Sequence, residues 1–430
     1  MRRGLAVMMV GLGLLVGSAP THARPVIDVT AYGATGNGVT DDTAAIQAAI
    51  DAAEATKGGT VHFPAGTYRI SGTLTVEASA VYLVGQGAEQ SNITTHSATA
   101  TILRLGNGKN PISQVGVEGF SFRTSPTRAL GAVGIDINGA GGSSYIRDCY
   151  FFYQPIGIKV ANTGAARKFD LFYNHFEVTT ADGIGIDIGD EGVHIDKCFL
   201  ISNATDDANG LPRGPAGLAA IRITNTIGDV LITDTRGYHF VHGLLLQPRV
   251  GQDVKRLWAH HCIFEQNVEN GVSVHPQGGR VLGLYIGNTR LQGNREHGLE
   301  TREAGVGSTV DGVHLYDDEI YANGADGVKF GFGTNLRIGG GAITGNSKKQ
   351  PRATAGVLVA SGVSGWAVQD ARIGPTDVVT ATSTQAWGIQ INAGAGNHVM
   401  ITGNDLRGNV AGAILDRSTG TNKVVANNLK

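Results

Sequence analysis

GIDI, residues 134–137, decides the fold because it recurs. After Gly134-Ile-Asp-Ile137 come Gly157-Ile-Lys-Val160, Gly185-Ile-Asp-Ile188, Ala220-Ile-Arg-Ile223 and Gly243-Leu-Leu-Leu246. Gly271-Val-Ser-Val274, Gly298-Leu-Glu-Thr301, Gly327-Val-Lys-Phe330, Gly356-Val-Leu-Val359, Gly388-Ile-Gln-Ile391 and Gly412-Ala-Ile-Leu415 continue the series. In most of these, a small residue leads an apolar position, a free position and a second apolar one. That alternation is the period of a strand with one buried face. Successive units start 23 to 35 residues apart, the range of solenoid coils.

A second unit lies between them, as in YIRDCYF from Tyr145, VHIDKCFL from Val193, WAHHCIF from Trp258 and LYIGNTRL from Leu284. No stretch of the repeat region has a convincing helical period. The architecture that fits is all-β: a single-stranded right-handed parallel β-helix of roughly ten or more coils, each of two or three short strands. Adjacent coils stack at about 4.8 Å. Cys149, Cys198 and Cys262 fall at one place in the second unit, which Asn174, Thr289 and Asn404 occupy on other coils. Cys149 and Cys198 are then two coils apart, about 9–10 Å by stacking, too far for a disulfide. All three read as buried thiols.

Composition agrees. Of 430 residues, 64 are glycine, 41% are hydrophobic and 16% are charged, which excludes a coiled coil and a disordered chain. The net charge of −2 gives no footprint for nucleic acid or an anionic membrane. Residues 1–23 read as an export signal, with Arg2 and Arg3 before an apolar run from Leu5 to Val16 and a small-residue site at Thr21-His22-Ala23. The apolar run is short for a membrane span. The expected organisation is a signal at 1–23 and one β-helix domain over 24–430, whose residues 24–105 form the cap and first coils. The mature chain is expected to be secreted or periplasmic, with no membrane association after cleavage.

Residues 28–53 break the repeat. Ala45, Ile46, Ala49, Ile50 and Ala53 recur at helical spacing, and Thr40 is a candidate N-cap for a helix from about Asp41 or Asp42. Such an amphipathic helix would close the open end of the first coil. Gly58 to Val76 then reads as two strands around Pro64-Ala65-Gly66. The stretches DVTAYGATGNGVTDDTAAIQAAI, GGTVHFPAGTYRI and VYLVGQG (Val81–Gly87) resemble the opening of the pectate-lyase-like β-helix superfamily. That superfamily includes polygalacturonases, rhamnogalacturonases, exo-β-1,3-glucanases and phage tailspike barrels. The resemblance covers roughly residues 26–105. It implies the fold and a polysaccharide partner, and is shared by hydrolases, lyases and epimerases.

Stacking makes columns out of equivalent positions. The residue before each strand glycine reads His242, Asn270, His297, Asp326 on four consecutive coils. One place earlier stand Val241, Glu269, Glu296 and Ala325; two after the glycine, Leu245, Ser273, Glu300 and Lys329; four after it, Gln247, His275, Arg302 and Gly331. EHGLETRE, Glu296 to Glu303, is thus the middle rung of a polar patch. Carboxylates on adjacent coils stand about 5 Å apart and two coils apart about 10 Å, bracketing the separations for glycoside hydrolysis. Glu269, Glu296, His297, Glu300 and Asp326 are the catalytic candidates. His242, His275, Arg302 and Lys329 are the substrate-binding candidates, the cations suited to a uronate carboxylate. In the polygalacturonase-like branch, openings N-T-D-G and G-H-G place acids and a histidine at this turn. Ala325-Asp326-Gly327 and Glu296-His297-Gly298 are similar to them, without the double aspartate or R-I-K of that branch. Val274-His275-Pro276 half resembles the D-P-H of alginate-epimerase-like members. A second column, Asp136, Lys159, Asp187 and Arg222, alternates in sign as a charge ladder does, and Asp182 could join it.

The histidines between His239 and His314 show no metal spacing, so no metal or cofactor is expected, with Asp206-Asp-Ala-Asn-Gly210 a calcium candidate. The loop 203–217 is a candidate groove wall. Together these features suggest an enzyme cleaving glycosidic bonds in an acidic polysaccharide, by hydrolysis with paired carboxylates. The alternatives are a polysaccharide lyase or C5-epimerase acting on uronates, and a non-catalytic adhesin-like glycan-binding β-helix. The assembly would be a monomer or a side-by-side homotrimer.

Overall fold

A computed structural model describes residues 24–97, 99–124, 131–161, 169–189, 192–226, 228–303, 305–375 and 384–430; the expected export signal lies outside the described residues. Three parallel sheets of 15, 13 and 13 strands run along one axis, a right-handed parallel β-helix of about 13 turns. The glycine-led units build the third sheet, for example His242–Leu246, Asn270–Val274, Leu299–Thr301 and Val328–Phe330. The glycines are there because backbone passes close to the neighbouring coil. A Cβ on Gly298 would stand 2.5 Å from Ile320 Cγ2 and 2.6 Å from the Gly327 carbonyl oxygen.

The second unit spans two sheets. Ser144–Arg147 lies in the first and Tyr150–Phe152 in the second, and Asp148 turns the corner at φ 53°. Lys197, His261 and Asn288 turn the same corner with φ of 52°, 55° and 49°. The residue after each corner faces inward. Asn174 and Asn404 donate there to the carbonyls of Ile146 and Val368, one coil back. The thiols of Cys149, Cys198 and Cys262 face the equivalent carbonyls of Val117, Leu171 and Ile232 at 3.9, 3.6 and 3.5 Å. The cysteines are free, and burial pushes all three thiols up to about 12. Asp318 occupies the same column. Its Oδ1 accepts from the Thr289 amide at 2.8 Å, while its buried Oδ2 has no hydrogen-bond partner.

A second inward column stands at the next corner. Asn267 Nδ2 donates to Asn294 Oδ1, Asn294 to Asn323 and Asn323 to Asn346, each at 2.9 Å, and Asn346 to Gln385 at 3.1 Å. The ladder satisfies amides that the apolar interior would otherwise strand. At the first coil, the helix Thr43–Ala55 lays Ile46, Ala49, Ile50 and Ala53 over the core. It starts later than the sequence suggests. Thr40 belongs to the strand Asn37–Asp41, and Asp41 Oδ1 accepts from the Thr43 amide at 3.1 Å. Asp42, buried, instead binds the amides of Thr35 and Gly36. The segment 58–76 makes three strands rather than two, because Leu74–Val76 opens the third sheet. Among the described residues no helix is long and apolar enough to cross a membrane.

Candidate active site

The columns read from the sequence line up. His242 pairs in register with Asn270, Gly271 donates its amide to the His297 carbonyl, and His297 Nδ1 stands 3.5 Å from Asp326 Oδ2. One place earlier, Glu269 donates its amide to Val241, Glu296 to Glu269, and Ala325 to Glu296. Ser273, Glu300 and Lys329 are register partners on the outward face.

Glu300 is the centre of the cluster. It points outward yet is only 6% exposed, because neighbouring side chains cover it. Lys329 Nζ donates to its Oε1 at 2.8 Å and Asn270 Nδ2 to its Oε2 at 3.1 Å, with Arg302 Nη1 at 3.9 Å. Burial raises its pKa, but the Lys329 hydrogen bond and the charges of Lys329 and Arg302 oppose it, and Glu300 is held below the usual glutamate value. Asn270 serves twice, since its Oδ1 accepts the His297 amide at 3.0 Å.

The two histidines of the column are neutral for a simple reason. Burial pushes His297 down to about 4 and His242 to about 3, with Arg302 and His275 adding to the fall at His242. Arg302 Nη2 contacts His275 Nδ1 at 2.9 Å. A guanidinium has no lone pair to offer, so it donates and this nitrogen accepts. The His275 proton is then on Nε2. Burial, and then Arg302, lower its pKa as well. Burial raises Glu269, which lies 3.6 Å from His242, and carries Asp326 up to about 6. The His242 Nδ1, His297 Nδ1, Ser273 Oγ and Arg302 Nε are all buried without a hydrogen-bond partner.

Residues 26–144 match the family model for rhamnogalacturonase A/epimerase, pectate-lyase-like proteins. The chain is a right-handed parallel β-helix whose N-terminal 26–144 segment is similar to that family. A segment of 67 residues is 57% identical to mannuronan C5-epimerase AlgE5 of Azotobacter vinelandii, covering 14% of this chain and 7% of that protein. Alginate lyase 7 of the same organism is 51% identical over 67 residues, 14% of this chain and 8% of that one. The matched segment is thus a small fraction of these curated relatives. The A-module of Azotobacter vinelandii mannuronan C5-epimerase AlgE4 superimposes with a TM-score of 0.64 at 19% identity, over 94% of this chain and 100% of that one. The Streptococcus pneumoniae surface protein and adhesin PfbA superimposes at 0.53 with 13% identity, over 94% of this chain and 100% of that one. These two likenesses are of fold.

Within this β-helix the sequence-derived candidates divide. His242, Glu269, His275, His297, Glu300, Arg302, Asp326 and Lys329 form one connected patch. Glu296 lies at its edge: its charge acts on Glu269 and His297, while Lys349 Nζ takes its Oε1 at 2.5 Å. Lys349 was not legible as a partner; it lies 53 residues on, in a loop inserted two coils later. The Asp136 to Arg222 column is a charge ladder, with Arg104 on Asp136 and Arg222 bidentate on Asp187. Asp182 is exposed, at a corner with φ 63°. The calcium candidate is otherwise engaged. Asp207 accepts from Arg295 and from the amides of Asn209 and Leu211, and Asp206 faces His239 at 3.5 Å. Asn270 was read in its column without a role, and only its two hydrogen bonds reveal one.

Proposed function

We propose that the chain acts on a uronate-containing polysaccharide by removing the proton next to the sugar carboxylate, as a C5-epimerase or a β-eliminating lyase. The observation that carries this is that one patch holds a neutral His297 and, on the adjacent coil, a His275 whose Nδ1 accepts from Arg302. His297 offers a base that stays unprotonated at neutral pH, while the neutral His275 presents an Nε2–H able to hydrogen-bond a sugar oxygen. Arg302 and Lys329, beside them, suit the carboxylate whose charge grows as the proton leaves. Return of a proton from solvent to the other face inverts C5; expulsion of the glycosidic oxygen, which takes up a solvent proton, cleaves the chain. The names of the relatives, mannuronan epimerases and an alginate lyase, support a uronate polymer.

Hydrolysis by paired carboxylates is less well supported. Glu296 is paired to Lys349, both Glu300 oxygens already accept hydrogen bonds, and Asp326 is 4% exposed with Oδ1 on the Ala355 amide. The leader-like residues 1–23 support an exported enzyme that meets its polymer outside the cytoplasm. The test is incubation of alginate or polygalacturonate with the protein in heavy water. Deuterium at C5, or unsaturated chain ends, is expected. New reducing ends with neither would assign hydrolysis, and an unchanged polymer would leave a binding protein.

A further inference from the structure

Two insertions leave the β-helix at the same corner, between the second and third sheets, and both come back to adjacent residues of one rung. The first is a hairpin in the 203–218 connection, with Thr205–Asp206 antiparallel to Pro212–Arg213. It leaves the coil of Ala219–Ile223 and reaches the rung of Leu299–Thr301, three coils on, where Arg295 Nη1 donates to Asp207 Oδ2 at 2.7 Å. The second is the loop after Asn346, whose Lys349 reaches back two coils to Glu296. Three coils span about 14 Å at the ordinary strand spacing. The two arms therefore approach from opposite directions along the axis and meet beside His297, at the corner edge of the patch. Asp207 is bound closely; the Arg295 hydrogen bond, then its own turn amides, hold its pKa down.

We propose that Arg295–Asp207 and Lys349–Glu296 are a paired latch, holding the two arms as one side wall of the glycan groove. The wall makes a bound polymer lie along the axis across successive coils. This rests on the proposed function and adds which residues set the orientation of the chain. The ion pairs are partly exposed, at 27% and 15% for Arg295 and Asp207, and 41% and 35% for Lys349 and Glu296. Such pairs hold weakly and yield to salt, so the wall is able to open for a long chain to enter from the side. Arg295, Asp207 and Lys349 touch none of the patch residues named as base, hydrogen-bond donor or carboxylate binder. Their effect is on positioning.

The experiment compares wild type, Asp207→Asn, which keeps an oxygen for the turn amides of Asn209 and Leu211, and Arg295→Gln, which leaves Asp207 in place. Steady-state kinetics are measured on a long uronate polymer and on a short uronate oligosaccharide, and amide hydrogen exchange is followed over 203–217. Both variants should speed exchange in that segment and raise KM for the polymer several-fold, with kcat on the oligosaccharide unchanged. If wild type turns over the polymer while both variants match it in exchange and KM, the latch is overturned and the proposed function stands. If wild type processes and binds no uronate polymer, the functional reading falls and the groove wall with it.

Discussion

Arg302 donates to His275 Nδ1 at 2.9 Å, from one coil to the next. The contact fixes which imidazole nitrogen carries the proton, and the positive charge lowers the pKa of the ring. Arg302→Gln should therefore raise the His275 pKa and free the tautomer. Imidazole resonances followed by NMR titration report the first effect. Turnover should fall by about 100-fold or more, the usual scale for losing a positioned hydrogen-bond donor to charge that develops in the transition state.

His297 sets the acid side of the pH profile. A base works when unprotonated, so activity should hold as pH falls and disappear only near the His297 value of about 4. Burial is the main cause, and the Lys329 charge adds to the fall. Lys329→Met should move the acid limb of kcat/KM to higher pH, whereas Glu300→Gln, which removes a charge that favours imidazolium, should move it lower. Profiles of the two variants shifting in the same direction would contradict this assignment.

Asp318 gives a prediction about stability. The column partners Asn174, Asn404 and the three cysteines each turn a donor toward a carbonyl one coil back, but an ionised Asp318 has none to give. Burial carries its carboxyl up to about 7 against an ordinary 3.8. The folded state thus holds a proton that the unfolded chain releases more readily. Stability is full below about pH 4 and declines as pH rises toward about 7. Each tenfold change in proton affinity is worth about 1.4 kcal/mol, so the loss is on the order of a few kcal/mol. Asp318→Asn supplies the missing donor and should raise Tm at pH 8, with little change at pH 4. Thermal unfolding at the two pH values checks it.

The amide ladder should be costly to interrupt. Asn294 gives hydrogen bonds to Asn323 Oδ1 and the Phe264 carbonyl, and accepts from both the backbone and side-chain nitrogens of Asn267. Asn294→Ala leaves buried groups on both sides unanswered, at about 1–3 kcal/mol for each. Denaturant unfolding should show a midpoint shift larger than that of an exposed substitution such as Asn209→Ala.

The glycine-led period revealed the third sheet, and the columns placed the patch, because strand alternation and coil stacking are local consequences of sequence. The 267–271 spacing Asn-Val-Glu-Asn-Gly returns as Asn294-Arg-Glu-His-Gly298 and Asn323-Gly-Ala-Asp-Gly327. The inward ladder was therefore written in the chain but masked by the polar residues beside it. What sequence could not supply was the partner of Glu296. Lys349 reaches it through a loop whose path depends on tertiary contacts, not on the repeat. The start of the capping helix was misjudged because Asp42 is drawn into binding the 35–36 loop, so the chain turns helical one residue later.

Every side-chain amide in the ladder from Asn267 to Asn346 passes a hydrogen forward to the next side-chain oxygen and receives from behind on its own, so the row has a polarity. A finished rung holds out a pair of hydrogens waiting for the next oxygen. A chain emerging from the ribosome meets its template in the order it is made, and each new turn can dock on the last without waiting for the far terminus.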